Sequence, residues 1–346
     1  MKLTKELWGT SPCGKEIYLY TIENSKGAYV KLSSIGAGIV SVVVPDKDGN
    51  LADVVLGYAE PASYFGDGPC SGKIPGRYAN RVALGKFTLD GVEYTLPVNN
   101  GPNHLHGGPE GFQNKVWESR EHEGGVEFMY YSEDGEQGYP GAVKTVARYE
   151  WTEENELRLT LTAESDAPTV INLTNHAYFN LAGCNSGDVL GHEIWFDADA
   201  FTPTTPDSIP TGEIRPVEGT PFDFRTAKAI GKDIKADYDQ LVAAKGGYDH
   251  NLCLNSGDGA KIKVYEPESG RTMEVYTDQP GVQFYTGNFL DGTRKGKGGC
   301  PMIQHAGFCL ETQTYPDAPN HPEFPQCTYK AGEEYKSKTV YKFGVK

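Results

Sequence analysis

Hydrophobic and polar residues alternate along much of this chain, most regularly between positions 143 and 163. In segment 143–151, every second residue from Ala147 to Trp151 is apolar or aromatic, and the residues between them are charged. In segment 156–163, three leucines alternate with polar residues. A period of two places one face against a core and the other in water, as in antiparallel sheets. A polar turn joins the two segments, so we predict a hairpin.

Further short segments of strand-forming residues, and the turn residues between them, predict an all-β fold. Asp-Gly pairs, which tolerate positive φ and suit tight hairpin turns, follow or precede several of the runs. The best candidate helix is 228–244, which ends at two glycines. Many short strands without alternating helices favour a large antiparallel sandwich or barrel. The additional candidate strands are 17–22, 28–32, 39–44, 92–96, 126–131, 168–174, 193–196, 261–265, 272–276, 282–286 and 339–345.

Composition narrows the class of partner. The 346 residues are 38% hydrophobic, enough for a packed core, and carry a formal charge of −15. An acidic surface repels phosphates, so we expect no nucleic acid and no anionic membrane as a partner. No run of about 18 apolar residues is present, and the first 20 residues lack the apolar stretch of a signal peptide. The seven scattered cysteines include no Cys-x-x-Cys pair, which indicates free thiols in the cytoplasm.

Two segments combine apolar residues with groups that carry chemistry. His176 lies in segment 172–181 among amides and a hydroxyl. A single histidine of this kind is often a hydrogen-bonded core residue, but so many polar neighbours tend to surround something polar. Glu311 lies within the apolar segment 307–313. A buried carboxylate is either paired, for example with an arginine, or has a raised pKa and a function.

A histidine pair leaves a metal site open as an alternative. His104 and His106 would share one face of a strand, and Glu110 follows them, as in the metal sites of cupins. The second motif of such sites is missing from the sequence, so a histidine in a polar site or on the surface is the competing interpretation.

The basic, glycine-rich segment 291–301 is interpreted as a solvated loop rather than a functional lid.

The remaining polar motifs describe the ligand. Asp249 follows a tyrosine, Gln283 stands among aromatic residues, and Asn80-Arg81 offers a group of donors. Hydroxyl groups need donors and acceptors, and the C–H faces of sugars stack on aromatic rings. These residue types therefore predict a pocket for a neutral polyhydroxylated ligand with no obligatory metal.

Taken together, the motifs resemble the aldose 1-epimerase, or galactose mutarotase, family. They occur in order from about residue 30 to residue 343. The segments that carry the resemblance are 80–81, 102–108, 172–181, 210–213, 221–225, 249–250, 279–290 and 307–313.

The resemblance implies a single-domain β-supersandwich over 1–346, with an open sugar cleft on one sheet and no cofactor or metal. It implies that His176 is the general acid and Glu311 the general base. It also implies that Arg81, His106, Asp249 and Gln283 hold the sugar. We add Asn80, the neighbour of Arg81, to this set. The substrate-binding positions are Asn80, Arg81, His106, Asp249 and Gln283. His104 receives no role.

The implied reaction interconverts the α and β anomers of free hexoses such as galactose and glucose. A carboxylate and an imidazole suit it, because one group must take the C1 hydroxyl proton while another protonates the ring oxygen. A hexose-6-phosphate 1-epimerase remains an alternative, which would need a cluster from Arg77, Arg294 and Lys295. A non-catalytic sugar-binding module is a second alternative. We expect a monomer or a weak homodimer.

Overall fold

A computed structural model describes residues 1–346, which form β-strands, six short 3-10 helices and one α-helix, α1 (Asp239–Ala243). The 3-10 helices are Pro61–Tyr64, Ala83–Gly85, Phe112–Asn114, Glu136–Gly138, Lys297–Gly299 and Ala318–Asn320. None of these helices has the length and apolar character needed to cross a bilayer. The strands are β1 (Lys2–Thr10), β2 (Glu16–Glu23), β3 (Tyr29–Ser33), β4 (Gly38–Pro45), β5 (Leu51–Asp53), β6 (Arg81–Val82), β7 (Lys86–Leu89), β8 (Val92–Thr95), β9 (His104–Leu105), β10 (Glu118–His122), β11 (Gly125–Ser132), β12 (Val143–Trp151), β13 (Glu156–Ser165), β14 (Thr169–Val170), β15 (Tyr178–Phe179), β16 (Glu193–Phe196), β17 (Ala198–Phe201), β18 (Arg215–Pro216), β19 (Lys228–Ala229), β20 (Asp249–Leu254), β21 (Ile262–Tyr265), β22 (Arg271–Thr277), β23 (Gly281–Tyr285), β24 (Phe308–Gln313), β25 (Thr328–Tyr329) and β26 (Glu334–Val345).

Three large antiparallel sheets dominate the architecture. The nine-stranded sheet has the order β10-β11-β12-β13-β26-β22-β21-β16-β19. The six-stranded sheet has the order β15-β24-β23-β20-β17-β18, and the five-stranded sheet runs from β1 to β5 in sequence order. Three two-stranded ribbons complete the fold, among them β6 with β9. The predicted all-β class and antiparallel supersandwich are confirmed.

The six-stranded sheet separates the main core from the functional face. Along β23 and β24, Val282, Phe284 and Leu310 belong to the largest hydrophobic cluster, which also takes in residues of the nine-stranded sheet. The residues between them, Gln283 and Glu311, point to the opposite face because side chains alternate along a strand. The apolar half of each strand therefore anchors a polar half that is free to face a ligand.

The predicted hairpin is confirmed. Strands β12 and β13 pair with Trp151 opposite Leu157, and the turn between them comprises 152–155. Each of the eleven further runs predicted as strands contains one. All seven cysteines carry free thiols, as the spacing predicted.

The predicted helix over 228–244 is wrong apart from its last turn and a half. Lys228–Ala229 forms the short edge strand β19 instead, and only Asp239–Ala243 is helical. The backbone of this segment bonds across to another loop, since the Ile230 N–H donates to the His192 carbonyl and the Gly231 N–H to the Leu190 carbonyl. Tertiary hydrogen bonds thus replace the i−4 bonds that a helix would need.

Candidate active site

A cavity of about 510 Å³ opens on the polar face of the six-stranded sheet. Six of the seven predicted site residues lie in its wall, namely Asn80, Arg81, His106, His176, Asp249 and Glu311. Gln283 lies next to the wall, behind Asp249. Residues from more than 200 positions apart in the sequence therefore meet around one volume large enough for a hexose.

Glu311 occupies the middle of strand β24, directly opposite Gln283 on β23. Its side chain is buried, and the Oε2 atom has no hydrogen-bond partner. Burial, reinforced by the charge of Asp249, raises the pKa of this carboxyl well above its ordinary value, and Arg81 only partly opposes the shift. No arginine forms an ion pair with it, so the alternative of a structural carboxylate paired with an arginine is wrong.

His176 is held by its backbone rather than by a strand. Its N–H donates to the Lys73 carbonyl and its carbonyl accepts the Gly72 N–H, both at 2.9 Å. The neighbouring Asn175 amide also donates to the Gly72 carbonyl, at 2.7 Å. Only glycine fits at position 72, because φ is +72° and a Cβ there would lie 2.0 Å from the Ile39 carbonyl oxygen. The close approach of this chain segment fixes where the imidazole emerges.

The imidazole of His176 faces the Glu311 carboxylate. The His176 Nε2 and Glu311 Oε1 atoms are 3.6 Å apart. The ring of His106 meets that of His176 edge-on, with centroids 5.2 Å apart, and Tyr178 lies beside it at 5.1 Å. Burial lowers the pKa of His176 to about 4. One acid and one base are thus placed side by side at the bottom of the cavity.

The β6–β9 ribbon supplies hydrogen-bond donors. Asn80 and His106 both adopt left-handed backbone conformations, with φ of +65° and +52°. The Asn80 N–H donates to His106 Nδ1 at 3.1 Å, and the His106 N–H donates to the Asn80 carbonyl at 3.0 Å. Because Nδ1 accepts a hydrogen bond, the neutral ring carries its proton on Nε2. His106 is therefore a donor, and burial keeps its pKa well below the ordinary value.

Asp249, Arg81 and Gln283 form a connected group on the other side of the cavity. The Gln283 amide donates to Asp249 Oδ1 at 2.7 Å, and Arg81 Nη1 lies 3.8 Å from Asp249 Oδ2. Arg81 is oriented further by a hydrogen bond of 3.0 Å from its Nε to Asn100 Oδ1. The guanidinium and the carboxylate thus offer a donor and an acceptor within reach of adjacent sugar hydroxyls.

The metal site formed by His104, His106 and Glu110 is contradicted by the geometry. His104 is buried with its Nδ1 at 2.7 Å from the Pro97 carbonyl and its Nε2 at 2.7 Å from the Tyr139 hydroxyl, so both nitrogens are occupied. Glu110 is exposed. A different group, His106, His176 and Glu311, brings its ligand atoms within 4.8 Å of one another. The Nε2 proton of His106 makes that ring a donor and a poor metal ligand.

The segment 291–301 is part of the cavity wall, contrary to its interpretation as a merely solvated loop. Asp291, Thr293 and Arg294 line the cavity. The segment is fastened to the fold by Lys297, whose ammonium lies 2.6 Å from Asp53 Oδ2. Nothing in this glycine-rich sequence by itself predicts that the segment lines the cavity.

Two aromatic residues of the cavity wall, Tyr178 and Tyr285, were not predicted from the sequence as site residues. A signal for both was available. Tyr285 follows Gln283 by two positions on one strand and so shares its face, and Tyr178 stands two positions after His176. Their rings are 5.9 Å apart and form an apolar wall.

Comparison with known proteins agrees with these features. The family model of aldose 1-epimerase matches residues 18–342. The galactose mutarotase of Bos taurus is 45% identical over 347 residues, covering 100% of this chain and 99% of the relative. The aldose 1-epimerase of Escherichia coli K12 is 40% identical over 339 residues, covering 96% and 97%.

Solved structures extend the similarity to the fold. An aldose epimerase homologue from C. elegans superimposes with a TM-score of 0.89 at 32% identity, covering 94% of this chain and 98% of the other. The galactose 1-epimerase of Lactobacillus acidophilus gives a TM-score of 0.88 at 29% identity, covering 99% of each chain. By the match over nearly the whole sequence, the chain belongs to the aldose 1-epimerase family.

Proposed function

We propose that this protein interconverts the α and β anomers of free hexoses, galactose and glucose, without a cofactor. The observation that carries the proposal is the pairing of His176 Nε2 with Glu311 Oε1 at 3.6 Å in the wall of one cavity. Donors and an acceptor for sugar hydroxyls surround this pair. The aldose 1-epimerase and galactose mutarotases among its relatives support the same reaction.

In the proposed mechanism, Glu311 takes the proton of the C1 hydroxyl while His176 protonates the ring oxygen. The C1–O5 bond breaks, and the open-chain aldehyde forms. Rotation about C1–C2 presents the other face of the carbonyl group. His176 then removes the proton from the C5 hydroxyl as that oxygen attacks C1, and Glu311 returns a proton to the new C1 hydroxyl. Each group is typically worth about 10²–10⁴-fold in rate.

This cycle requires the pair to hold one proton at the start. Burial raises the pKa of Glu311 and lowers the pKa of His176 to about 4, so in the empty cavity the proton favours the carboxyl group. The form with imidazolium and carboxylate gains Coulomb attraction across 3.6 Å. The two forms differ only in the position of the shared proton.

We propose that Arg81, His106 and Asn80 donate to sugar hydroxyls and that Asp249 accepts from one. Gln283 acts one step behind, by holding Asp249 through its bond of 2.7 Å. The aromatic rings of Tyr178 and Tyr285 would cover the C–H face of the pyranose. A neutral sugar also suits a chain whose formal charge is −15.

The hexose-6-phosphate alternative has little support in the arrangement of cations. Arg77 is buried away from the cavity, where its guanidinium donates to the carbonyls of Pro140 and Gly141 at 2.7 Å. Lys295 does not line the cavity, which leaves Arg294 alone of the three candidates. A phosphate usually needs a cluster of such donors.

The broader setting is also part of the proposal. We propose that residues 1–346 form one domain and that the protein works in the cytoplasm as a monomer or a weak homodimer. Seven free thiols support a reducing compartment. No role for nucleic acid or membrane follows from any feature of the cavity.

The experiment is anomer equilibration of freshly dissolved α-galactose, followed by polarimetry or proton NMR. We expect wild-type protein to accelerate it and the variants His176→Asn and Glu311→Ala to lose at least about 100-fold in rate. His192→Asn is the matched control, because His192 is equally buried with a pKa of about 4 but lies outside the cavity. Wild-type rates in either cavity variant would show the assignment to be wrong. Sugar binding without any acceleration would favour the non-catalytic module.

A further inference from the structure

The edge of the His176 ring that faces away from Glu311 rests against a thiol. Cys309 Sγ lies 3.5 Å from His176 Nδ1. Cys309 precedes Glu311 by two residues on strand β24, so both side chains emerge on the same face of the sheet. The same strand therefore contacts both ring nitrogens of the imidazole, one through a carboxyl group and one through a sulfur atom.

The thiol is the partner left available to Nδ1. The His176 carbonyl also lies close to this nitrogen, but it already accepts the Gly72 N–H at 2.9 Å. The Tyr178 hydroxyl, which approaches the sulfur, donates to the Pro69 carbonyl at 3.1 Å. Cys309 has no exposed surface, and burial raises the pKa of its thiol well above the ordinary value. It is thus a neutral S–H group beside the ring at working pH.

A thiol suits both protonation states of the imidazole. When Nε2 has given its proton to the ring oxygen, the neutral ring keeps its other proton on Nδ1 and donates it to the sulfur, so Nε2 is free to accept the proton of the C5 hydroxyl. When the ring is charged, Nδ1–H donates to the same sulfur, so this contact is kept throughout the cycle. A carboxylate at the same place would instead hold the ring as imidazolium and oppose proton release.

We propose that Cys309 is a positioning residue that sets the tautomer of neutral His176, keeping a proton on Nδ1 so that Nε2 can release and retake the proton that the reaction exchanges. This inference rests on the proposed function for its catalytic meaning. The tautomer itself is measurable without catalysis, so the two proposals fail separately.

Several other groups lie close to His176, and the Cys309 variants leave all of them unchanged. They approach the ring from the neighbouring elements, and they are Glu311 on β24, Tyr285 on β23, Tyr178 on β15, His106 after β9, and Lys73 with its ion-pair partner Asp67.

The first experiment is ¹⁵N NMR of the histidine side chains in the full-length protein, with the His176 signals identified by their loss in His176→Asn. We expect the Nδ1–H tautomer in wild-type protein and in Cys309→Ser, and a mixture of tautomers in Cys309→Ala. The His176 pKa should shift in opposite directions, up in Cys309→Ser because a hydroxyl accepts from Nδ1–H more strongly, and down in Cys309→Ala because the acceptor is lost. A packing role alone would not give shifts of opposite sign.

The second experiment is the pH profile of kcat for anomer equilibration. We expect Cys309→Ala to lose about tenfold in kcat with KM unchanged, and Cys309→Ser to stay within about threefold of wild type. Cys253→Ala is the matched control, a buried thiol on the same sheet that lacks contact with His176. An unchanged tautomer and pKa in both Cys309 variants would overturn the proposal. If Cys309→Ala does not fold, a Cys309→Ser protein without the upward pKa shift overturns it as well.

Discussion

Replacing Glu311 by glutamine should abolish catalysis and at the same time stabilise the protein at neutral pH. The carboxyl group is buried, its Oε2 has no hydrogen-bond partner, and its pKa is raised well above 4.5. A carboxyl group whose pKa is raised on folding binds its proton more tightly in the native state than in the unfolded chain. Stability therefore falls as pH rises from 4.5 toward the native pKa. Glutamine keeps the shape but has no charge to bury.

The expected size follows from linkage. Within that pH window, wild-type protein loses about 1.4 kcal/mol of unfolding free energy per pH unit relative to Glu311→Gln. A chain of 346 residues has an unfolding entropy of roughly 0.7 kcal/mol per kelvin at about 2.1 cal/mol/K for each residue. The melting temperature of the variant should therefore exceed that of wild type by about 2 °C for each pH unit above 4.5, up to the native pKa.

The assay is differential scanning calorimetry at pH 5, 6 and 7, with polarimetry on the same samples. Glu266→Gln is the matched control, because Glu266 is buried too but accepts hydrogen bonds from Ser269 and Glu268 that outweigh its burial and lower its pKa. That variant should be less stable than wild type by about the same amount at pH 5, 6 and 7, because stability from a carboxyl group with a lowered pKa is lost only as the pH falls below about 4.5. If Glu311→Gln is instead less stable than wild type at pH 7, burying the charged Glu311 carboxylate does not destabilise the native protein, and the reasoning is refuted.

Two further perturbations test the surroundings of the pair. Gln283→Met removes the hydrogen bond of 2.7 Å to Asp249, so we expect KM for galactose to rise about tenfold while kcat stays within about threefold of wild type. A loss confined to kcat would contradict this positioning role. Lys297→Met removes the ion pair with Asp53 and a hydrogen bond to the Val40 carbonyl, so urea titration should show a loss of about 1–3 kcal/mol in unfolding free energy. Lys295 is exposed and has no ion pair, so the control variant Lys295→Met should leave the unfolding free energy unchanged.

Alternation and turns sufficed to predict thirteen of the twenty-six strands, because the sequence of a strand with one buried face shows which side chains face the core. The β12–β13 hairpin is the clearest example, since its apolar positions are those that pack into the core. The strands β20 and β24, which carry Asp249 and Glu311, were not predicted. The helix over 228–244 failed because its backbone bonds to the loop at 190–192, a partner that no local pattern reveals. Propensity loses to tertiary hydrogen bonds at such places.

The candidate site was predictable in its chemistry but not in its assembly. Glu311 was conspicuous as a carboxylate in an apolar run, and His176 as an imidazole among amides. Their separation of 3.6 Å depends on the chain crossing at Gly72 and on the order of strands in the six-stranded sheet. Likewise, the contribution of 291–301 depends on Lys297 reaching Asp53, which lies far away in sequence.

A single physical effect, burial, shifts the pKa values of both members of the pair, in opposite directions. With ordinary pKa values of 4.5 and 6.5, a proton shared by an exposed pair would sit on the imidazole. Burial penalises each charged form, so it raises the carboxyl pKa and lowers the imidazole pKa, and in the empty cavity the shared proton favours the carboxyl group instead. Ring opening then takes one proton from the sugar and returns one, so the net charge of the pair stays the same at every stage. A pair as buried as this one is therefore suited to the reaction, because no step requires its surroundings to solvate a new net charge.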